Sequence, residues 1–293
     1  MHILITGATG YIGSRLCRLL GDSPENKIFS LQRPGHTCQD NITAIDWDLS
    51  SSVDEAVLPA KIDAIIHLAL ARGFRRFPEG AKDLFEVNVR TTMELLEYAR
   101  KARASHFFMA STGNSYAPDV GLNVGEIPEP PNDFYTGSKL AAEALCRSYR
   151  SCFPVNILRV FFPYGPDQDA KTLQRLITYI RAGKPIMLGR GLDGDGDRLS
   201  LIYVDDLVQV INQSINEGWN GLMDLAAPEV LSVRHIANEI GRQLGTKVVF
   251  ADAGFIAKEM RADLTGLNEK SRIESRNFSE GLSALLEEER LGV

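Results

Sequence analysis

Thr6-Gly7-Ala8-Thr9-Gly10-Tyr11-Ile12-Gly13 is the stretch whose reading decides the fold. Before it lies His2-Ile3-Leu4-Ile5, a short apolar run that reads as a buried parallel strand. After it, Ser14 to Leu20 carries apolar residues at helical spacing. Three glycines therefore sit on a strand-to-helix turn. A backbone without Cβ atoms turns sharply there and comes close to a bound anion. The N–H groups at the helix start, with the helix dipole behind them, then face a phosphate. The spacing is G-x-x-G-x-x-G rather than the basic G-x-G-x-x-G fingerprint, and taken alone it also fits a tight turn with no ligand.

Working outward, a second strand at Ile28-Phe29-Ser30-Leu31 ends in Gln32-Arg33-Pro34. In a nucleotide-binding unit an acidic residue at this place holds the ribose hydroxyls of NAD. Here Gln32 takes the place and Arg33 follows, and a guanidinium suits a 2′-phosphate. NADP(H) is thus favoured, with NAD(H) as the alternative. A third strand near Thr43-Ala44-Ile45 leads to Asp48-Leu49. The fourth, Ala64 to Ala69, is nearly all apolar, as a central parallel strand is. An arginine-rich loop follows, with Arg72, Arg75 and Arg76. The next helix spans about Lys82 to Arg100, with Leu84, Val87, Thr91, Leu95 and Tyr98 on its buried stripe. The fifth strand, His106 to Ala110, runs into Ser111-Thr112. Alternating strands and helices imply an α/β fold, a Rossmann-type doubly wound parallel sheet. Working residues gather at the carboxyl ends of such strands. The glycine turn, Gln32-Arg33, Ala69 and Thr112 all fall there.

The proline-rich stretch Glu126-Ile127-Pro128-Glu129-Pro130-Pro131 ends at Asn132-Asp133, good caps for the helix that carries Tyr135 and Lys139. Four residues apart, these two share a helix face. An ammonium beside the phenol predicts a tyrosine pKa below its ordinary value of about 10, as a general acid/base requires. Y-x-x-x-K alone also occurs by chance in helices; its company here is what makes it a site.

The 293 residues carry a formal net charge of −6 with no basic block, which argues against nucleic acid as a partner. No apolar run reaches the length of a membrane span, and no secretory leader precedes the first strand, so a cytoplasmic protein is expected. Cys17, Cys38, Cys146 and Cys152 form no paired framework; Cys17, Cys146 and Cys152 are expected in helices as free thiols. Asp193-Gly194-Asp195-Gly196-Asp197 alternates acids like a calcium loop but has Arg198 where Gly is needed and Val204 where Glu is needed. The five histidines show no ligand spacing, so no metal is expected. His67 reads as a core residue and Glu287-Glu288-Glu289 as a solvated helix face.

Taken together these residues resemble the extended short-chain dehydrogenase/reductase family, of the NAD(P)-dependent sugar epimerase/dehydratase type. Thr6 to Gly13, including Thr9, Tyr11 and Ile12, is similar to its cofactor turn. Asp48-Leu49 resembles its adenine-side pair, His67-Leu68-Ala69 its fourth-strand motif and Asn88-Val89 its structural helix. Tyr203-Val204-Asp205-Asp206 resembles its late strand and cap. The resemblance implies that Thr112 bonds the substrate oxygen, that Tyr135 passes its proton, and that Lys139 binds the nicotinamide ribose. It implies hydride transfer at a carbinol or ketone carbon of a small-molecule substrate, for which a nucleotide-diphospho-sugar is the candidate. Sugar 4,6-dehydratases of the family follow the threonine with Asp-Glu, where this chain has Gly113-Asn114. The cysteine of the 3,5-epimerase/reductases is absent from this segment too. A 4-epimerase or a ketoreductase is left. Arg72, Arg198 and Arg261 are the candidate substrate cations. Phe162, where many members have Asn, is counted on the cofactor side, with an apolar pocket or core packing as its roles. The implied organisation is a cofactor domain at 1–166 and 201–227 and a substrate lobe at 167–200 and 228–293, in a homodimer. A ketoreductase of a small non-sugar carbonyl and a non-catalytic redox sensor are the alternatives.

Overall fold

The computed structural model describes residues 1–36, 41–74, 76–115, 133–168 and 172–291. Cys38, Arg75, the stretch 126–131 and Asn132 lie outside the described residues. Two compact units are formed, one from Met1–Ser115, Glu129–Val160 and Val208–Met223, the other from Phe161–Leu207 and Asp224–Val293.

In the first unit the apolar runs become β1 (His2–Thr6), β2 (Lys27–Gln32), β3 (Ile42–Asp46), β4 (Ala64–His67), β5 (His106–Thr112) and β6 (Val155–Val160). With the strand Gly221–Leu225 they make a seven-stranded sheet in the order Gly221–Leu225, β6, β5, β4, β1, β2, β3. The pairings among β1 to β6 are all parallel. The chain winds from β1 toward β3, then returns to the other side of β1 for β4. That reversal opens a crevice at the carboxyl ends of β1 and β4, where open α/β sheets bind ligands.

Helix α1 (Tyr11–Gly21) follows the glycine turn. The expected helix near Lys82–Arg100 is α2 (Ala81–Phe85) and α3 (Thr91–Ala102), joined through a single π-helical turn at Glu86–Arg90. All five expected stripe residues are buried. Helix α4 (Phe134–Ser148) is capped by Asp133, whose carboxylate accepts from the Thr136 N–H at 2.8 Å. One face of the sheet, with Leu4, Ile65, Phe107, Met109 and Ile157, packs with Leu84, Leu95 and Leu96 of the α2–α3 stretch and with Ala142 and Cys146 of α4. Each large side chain fully buried in this way contributes about 1.5–3 kcal/mol.

Cys17 and Cys146 are buried in helices, but Cys152 is exposed in a turn. After α4 the chain tightens into a 3-10 turn at Tyr149–Ser151. Pro154 then prevents helix from continuing.

The second unit has its own core, built from Leu173, Ile177, Ile180, Ile236, Ile240, Leu282 and Leu285 around Tyr164 and Tyr203. Its strands are short: Ile186–Arg190 pairs in parallel with Phe250–Ile256, and Arg198–Ser200 lies between Val230–Ser232 and Glu259–Met260. Asp205 and Asp206 fall inside the first turn of the helix Val204–Asn216. Asp206 takes an ion pair from Arg276 at 2.5 Å. Among the described residues no helix is long and apolar enough to cross a membrane.

Candidate active site

The glycine turn closes on itself. Gly7 has φ 74°, a left-handed conformation, and a Cβ there would lie 2.8 Å from the Ala69 nitrogen. A Cβ on Gly13 would lie 2.1 Å from the Gly7 carbonyl oxygen. No larger residue fits either position, so the start of α1 comes close to the ends of β1 and β4. Gly10, the residue before α1, supplies no side-chain cap. The first-turn N–H groups of Ile12 and Gly13 thus lack the usual protein acceptor, the arrangement that receives a phosphate. Arg15 stacks over the Tyr11 ring at 4.8 Å.

Behind the turn, Thr6 Oγ1 lies 2.6 Å from His67 Nδ1 and accepts from the Ala69 N–H at 3.3 Å. His67 is fully buried. Burial first, and then the charge of Lys139, pushes its pKa down to about 3, so the ring is neutral. It is a core residue, as its apolar strand implies.

Beside the turn lies a cavity of about 300 Å³. It brings together Gly7, Thr9, Gln32, Arg33, Asp48, Leu49 and Ala69, and also Arg72. Arg72, expected on the substrate side, therefore lines the same cavity as Arg33. Asp48 is held below its usual carboxylate range, first by the Ser50 backbone N–H, with further help from Arg33 and Arg72. Gln32 is committed to the protein: its Oε1 accepts from Ser30 Oγ at 2.9 Å and its Nε2 donates to the His36 carbonyl at 2.6 Å. Trp47, not singled out from sequence, is a further wall of the cavity. Its place directly before Asp48 was the available signal.

Asn88 sits in the π-helical turn and donates from Nδ2 to Ser138 Oγ at 2.9 Å. It ties α4 to that turn, a structural role. Leu68 donates its N–H to the Thr6 carbonyl at 3.1 Å. Phe162, in the second unit, has φ 28° and packs against that unit's core. Positive φ is uncommon for a bulky side chain. Arg198 pairs with Asp193 at 3.1 Å, and Arg261 with Glu259 at 2.6 Å. Arg198 and Arg261 therefore both have carboxylate partners. In the decoy loop Asp195 pairs with Arg234 at 2.8 Å, and Asp197 accepts from the Lys258 N–H.

Tyr135, Lys139 and Glu143 lie on successive turns of α4 and bond three consecutive residues at the end of β5. The Thr112 hydroxyl donates to the Tyr135 phenol, and Thr112 Oγ1 accepts from the Asn114 N–H at 3.2 Å. Lys139 Nζ donates to the Ala110 carbonyl at 2.9 Å. Glu143, not singled out from sequence, accepts from Ser111 Oγ at 2.6 Å. It also takes a two-pronged ion pair from Arg159 at 2.9 and 2.8 Å, and a third contact from Arg147 at 2.6 Å. Phe74 lies against the Tyr135 ring, with centroids 5.5 Å apart.

One expectation is reversed. Tyr135 has its pKa raised, not lowered: burial outweighs the Thr112 hydrogen bond, and Asp133 adds to the rise. The Lys139 ammonium is spent on the Ala110 carbonyl, and burial pulls its own pKa down to about 8. The arrangement still places a hydroxyl, a phenol and an ammonium together at the end of β5. It can hold a substrate oxygen and exchange one proton with it. In the sequence, Gly113 and Asn114 follow Thr112, and neither is a carboxylate.

A family model described as the NAD dependent epimerase/dehydratase family matches residues 3–222. An uncharacterized UDP-glucose epimerase of Bacillus subtilis (strain 168) is 32% identical over 235 residues, covering 72% of this chain and 71% of that protein. The dTDP-D-glucose 4,6-dehydratase of Bos taurus is 26% identical over 258 residues, covering 82% and 72%. Among solved structures, a UDP-glucuronic acid 4-epimerase from Bacillus cereus, in complex with UDP-glucuronic acid and NAD, superposes with a TM-score of 0.84. It covers 100% of both chains at 23% identity, a likeness of fold.

Proposed function

The chain belongs to the NAD dependent epimerase/dehydratase family, and from that premise we propose that it moves hydride at a hydroxyl-bearing carbon of a nucleotide-linked sugar, as a 4-epimerase or a ketoreductase. It is an enzyme of the extended short-chain dehydrogenase/reductase type. The observation that carries the reading is the Thr112–Tyr135 hydrogen bond, with Lys139 one turn along α4. The named relatives act on nucleotide sugars, which supports that substrate class here. Gly113 and Asn114 disfavour dehydration, since elimination needs an acid and a base where those residues stand.

The glycine turn fits a dinucleotide, because a Cβ at Gly7 or Gly13 would fill the cradle. When bound, the nicotinamide supplies the hydride acceptor and donor. The protein's residues do the rest. Thr112 orients the substrate hydroxyl by hydrogen bonding. Tyr135 takes that hydroxyl's proton as the carbon becomes a carbonyl, and returns it on reduction. Lys139 adds positive charge that favours the phenolate once it forms. The raised pKa of Tyr135 keeps the resting phenol protonated, the form that gives a proton to a substrate carbonyl; to act as the base in the other direction it must first release that proton to solvent.

We infer a preference for NADP(H). Gln32 stands where NAD enzymes present a carboxylate. Arg33 and Arg72 line one cavity and both act on Asp48, so a 2′-phosphate there would meet two guanidiniums. A substrate lobe in the second unit, a cytoplasmic location and a homodimer are further parts of this reading. Exposed Phe85 and Met93, on the helical stretch from α2 to α3, support the last.

The test is incubation of the purified protein with NADP(H) or NAD(H) and a panel of UDP- and dTDP-hexoses, their 4-keto forms and simple ketones, followed by NMR of the products. A C4 epimer without net cofactor reduction identifies an epimerase; stoichiometric NADPH oxidation with a keto-sugar identifies a reductase. Turnover of simple ketones in place of every nucleotide sugar would overturn the substrate class.

A further inference from the structure

Ser111 and Arg159 face each other in the register between β5 and β6. Glu143 of α4 bonds both of them. Its carboxylate is fully buried and surrounded by donors: one hydroxyl, the two-pronged guanidinium of Arg159, and Arg147. A buried carboxylate so completely paired is held in place, because losing a donor leaves one of its lone pairs unmet in a medium that solvates it poorly. The site described above lies one and two turns away on the same helix. Ser111 adjoins both Ala110, which receives Lys139, and Thr112, which meets Tyr135.

We propose that Glu143 is a positioning residue for the reaction: by gripping Ser111 and Arg159 together it locks α4 in register over the ends of β5 and β6, and so sets the Thr112–Tyr135 contact. The proposal rests on the hydride-transfer reading for its catalytic meaning, though not for its geometry. The Thr112 hydrogen bond lowers the Tyr135 pKa against the opposing effects of burial and Asp133. If the lower rung is cut, β5 can drift, that hydrogen bond lengthens, and the phenol becomes harder to ionise. Around Lys139 the charged and titratable neighbours are Glu143 and Cys146 on its own helix and neutral His67 on β4. Cys146 and then Glu143 favour the ammonium; the Cys146 thiol, pushed up to about 12, is uncharged at neutral pH, so Glu143 is the one of the two that carries a charge there.

The test uses the full chain and three variants. Ser111→Ala removes one rung and leaves the buried ion pair whole; Ser111→Thr keeps the hydroxyl; Glu143→Gln keeps an acceptor and removes the charge. Tyr135 is titrated by tyrosinate absorbance, as the difference from Tyr135→Phe, which needs no substrate. The expected result is an upward shift of Tyr135 in Ser111→Ala and Glu143→Gln, restored in Ser111→Thr. Turnover should fall about 10-fold or more in the first two, with cofactor affinity within about 2-fold, because small displacements of reacting groups are costly. Glu143→Gln should also lose activity at a lower pH on the alkaline side, as Lys139 gives up its proton sooner. If Ser111→Ala folds with Tyr135 titration and turnover unchanged, Glu143 only stabilises the fold and the proposal is overturned. Should the wild type turn over no nucleotide sugar, the reaction reading fails by itself, and the Tyr135 titration still decides the positioning.

Discussion

The hydroxyl of Thr112 donates to the phenol of Tyr135, and this contact joins the end of β5 to the first turn of α4. It opposes the burial that pushes the phenol pKa up. Thr112→Val, which preserves shape and removes the donor, should raise the Tyr135 pKa further and cut turnover by about 10- to 100-fold. Cofactor affinity should change by less than about 2-fold. Steady-state kinetics alongside a tyrosinate titration measures both, and an unchanged titration would show that the contact does not tune the phenol.

Lys139 is almost fully buried, and burial brings its pKa down to about 8. The unfolded chain binds that proton more tightly than the folded one, so holding the ammonium at neutral pH opposes folding. This opposition fades as pH rises from about 8 toward the ordinary lysine value. Lys139→Met should therefore stabilise the fold by about 1–3 kcal/mol at pH 7 and raise the melting temperature by a few degrees. The same variant should abolish most activity. Calorimetry at pH 7 and 9 checks the sign: the gain should be smaller at pH 9.

His67 gives the opposite end of the pH range. The unfolded chain takes up a proton near pH 6.5, but the folded ring stays neutral to about 3. Between those values the unfolded state binds more protons, so stability falls as pH drops below 6.5. By pH 5 the loss amounts to about 2 kcal/mol from this residue. His67→Asn keeps a hydrogen-bonding group beside the Thr6 hydroxyl and should show a shallower fall. Urea unfolding across pH 5 to 7 compares the two; parallel slopes would exclude His67 as the source.

Gly13→Ala puts a methyl 2.1 Å from the Gly7 carbonyl oxygen, and backbone atoms have little room to yield. The turn must open. NADPH affinity, read by fluorescence titration, should weaken at least about 10-fold, since the helix-start N–H groups lose their aim at the phosphates. Unaltered affinity would mean that the pyrophosphate does not sit on this turn.

Arg33→Ala separates the two dinucleotides. Loss of one charge-assisted hydrogen bond should weaken NADPH about 10-fold and NADH less than about 2-fold. If NADH binds more tightly than NADPH to the wild type, the preference inferred from Gln32 and Arg33 is reversed.

What the sequence made legible was local. The glycine turn, the apolar strands and the Tyr135–Lys139 spacing are each contained in a few consecutive residues, and each appears where expected. Glu143 was hidden because its partners, Ser111 and Arg159, come from separate strands; only the sheet register makes them neighbours. The direction of the Tyr135 shift was hidden for a related reason. Spacing shows that Lys139 shares a helix face with it, but burial, which dominates, depends on Phe74 and the surrounding fold. Arg72 was assigned by its company in an arginine-rich loop, whereas its placement follows from the course of the chain after β4.

The π-helical turn at Glu86–Arg90 has a consequence for insertions and deletions. A π turn holds one residue more than an α turn, so shortening this segment by one residue would leave a plain α-helix that still forms all its backbone bonds. Each helical residue turns the chain by about 100°. Because the π turn spreads one full turn over its extra residue, that deletion would leave Ala81–Phe85 facing nearly as before relative to Thr91–Ala102. A residue deleted from an adjoining α turn would instead rotate one segment against the other by about that angle. The second kind of deletion would swing Asp83 away from the Gly73 N–H, from which it now accepts at 3.2 Å, and the loop that carries Arg72 and Phe74 would lose its anchor. The π turn is thus a place where this helix can lose a residue and keep its phase, and the walls of the cavity beside the glycine turn depend on that phase.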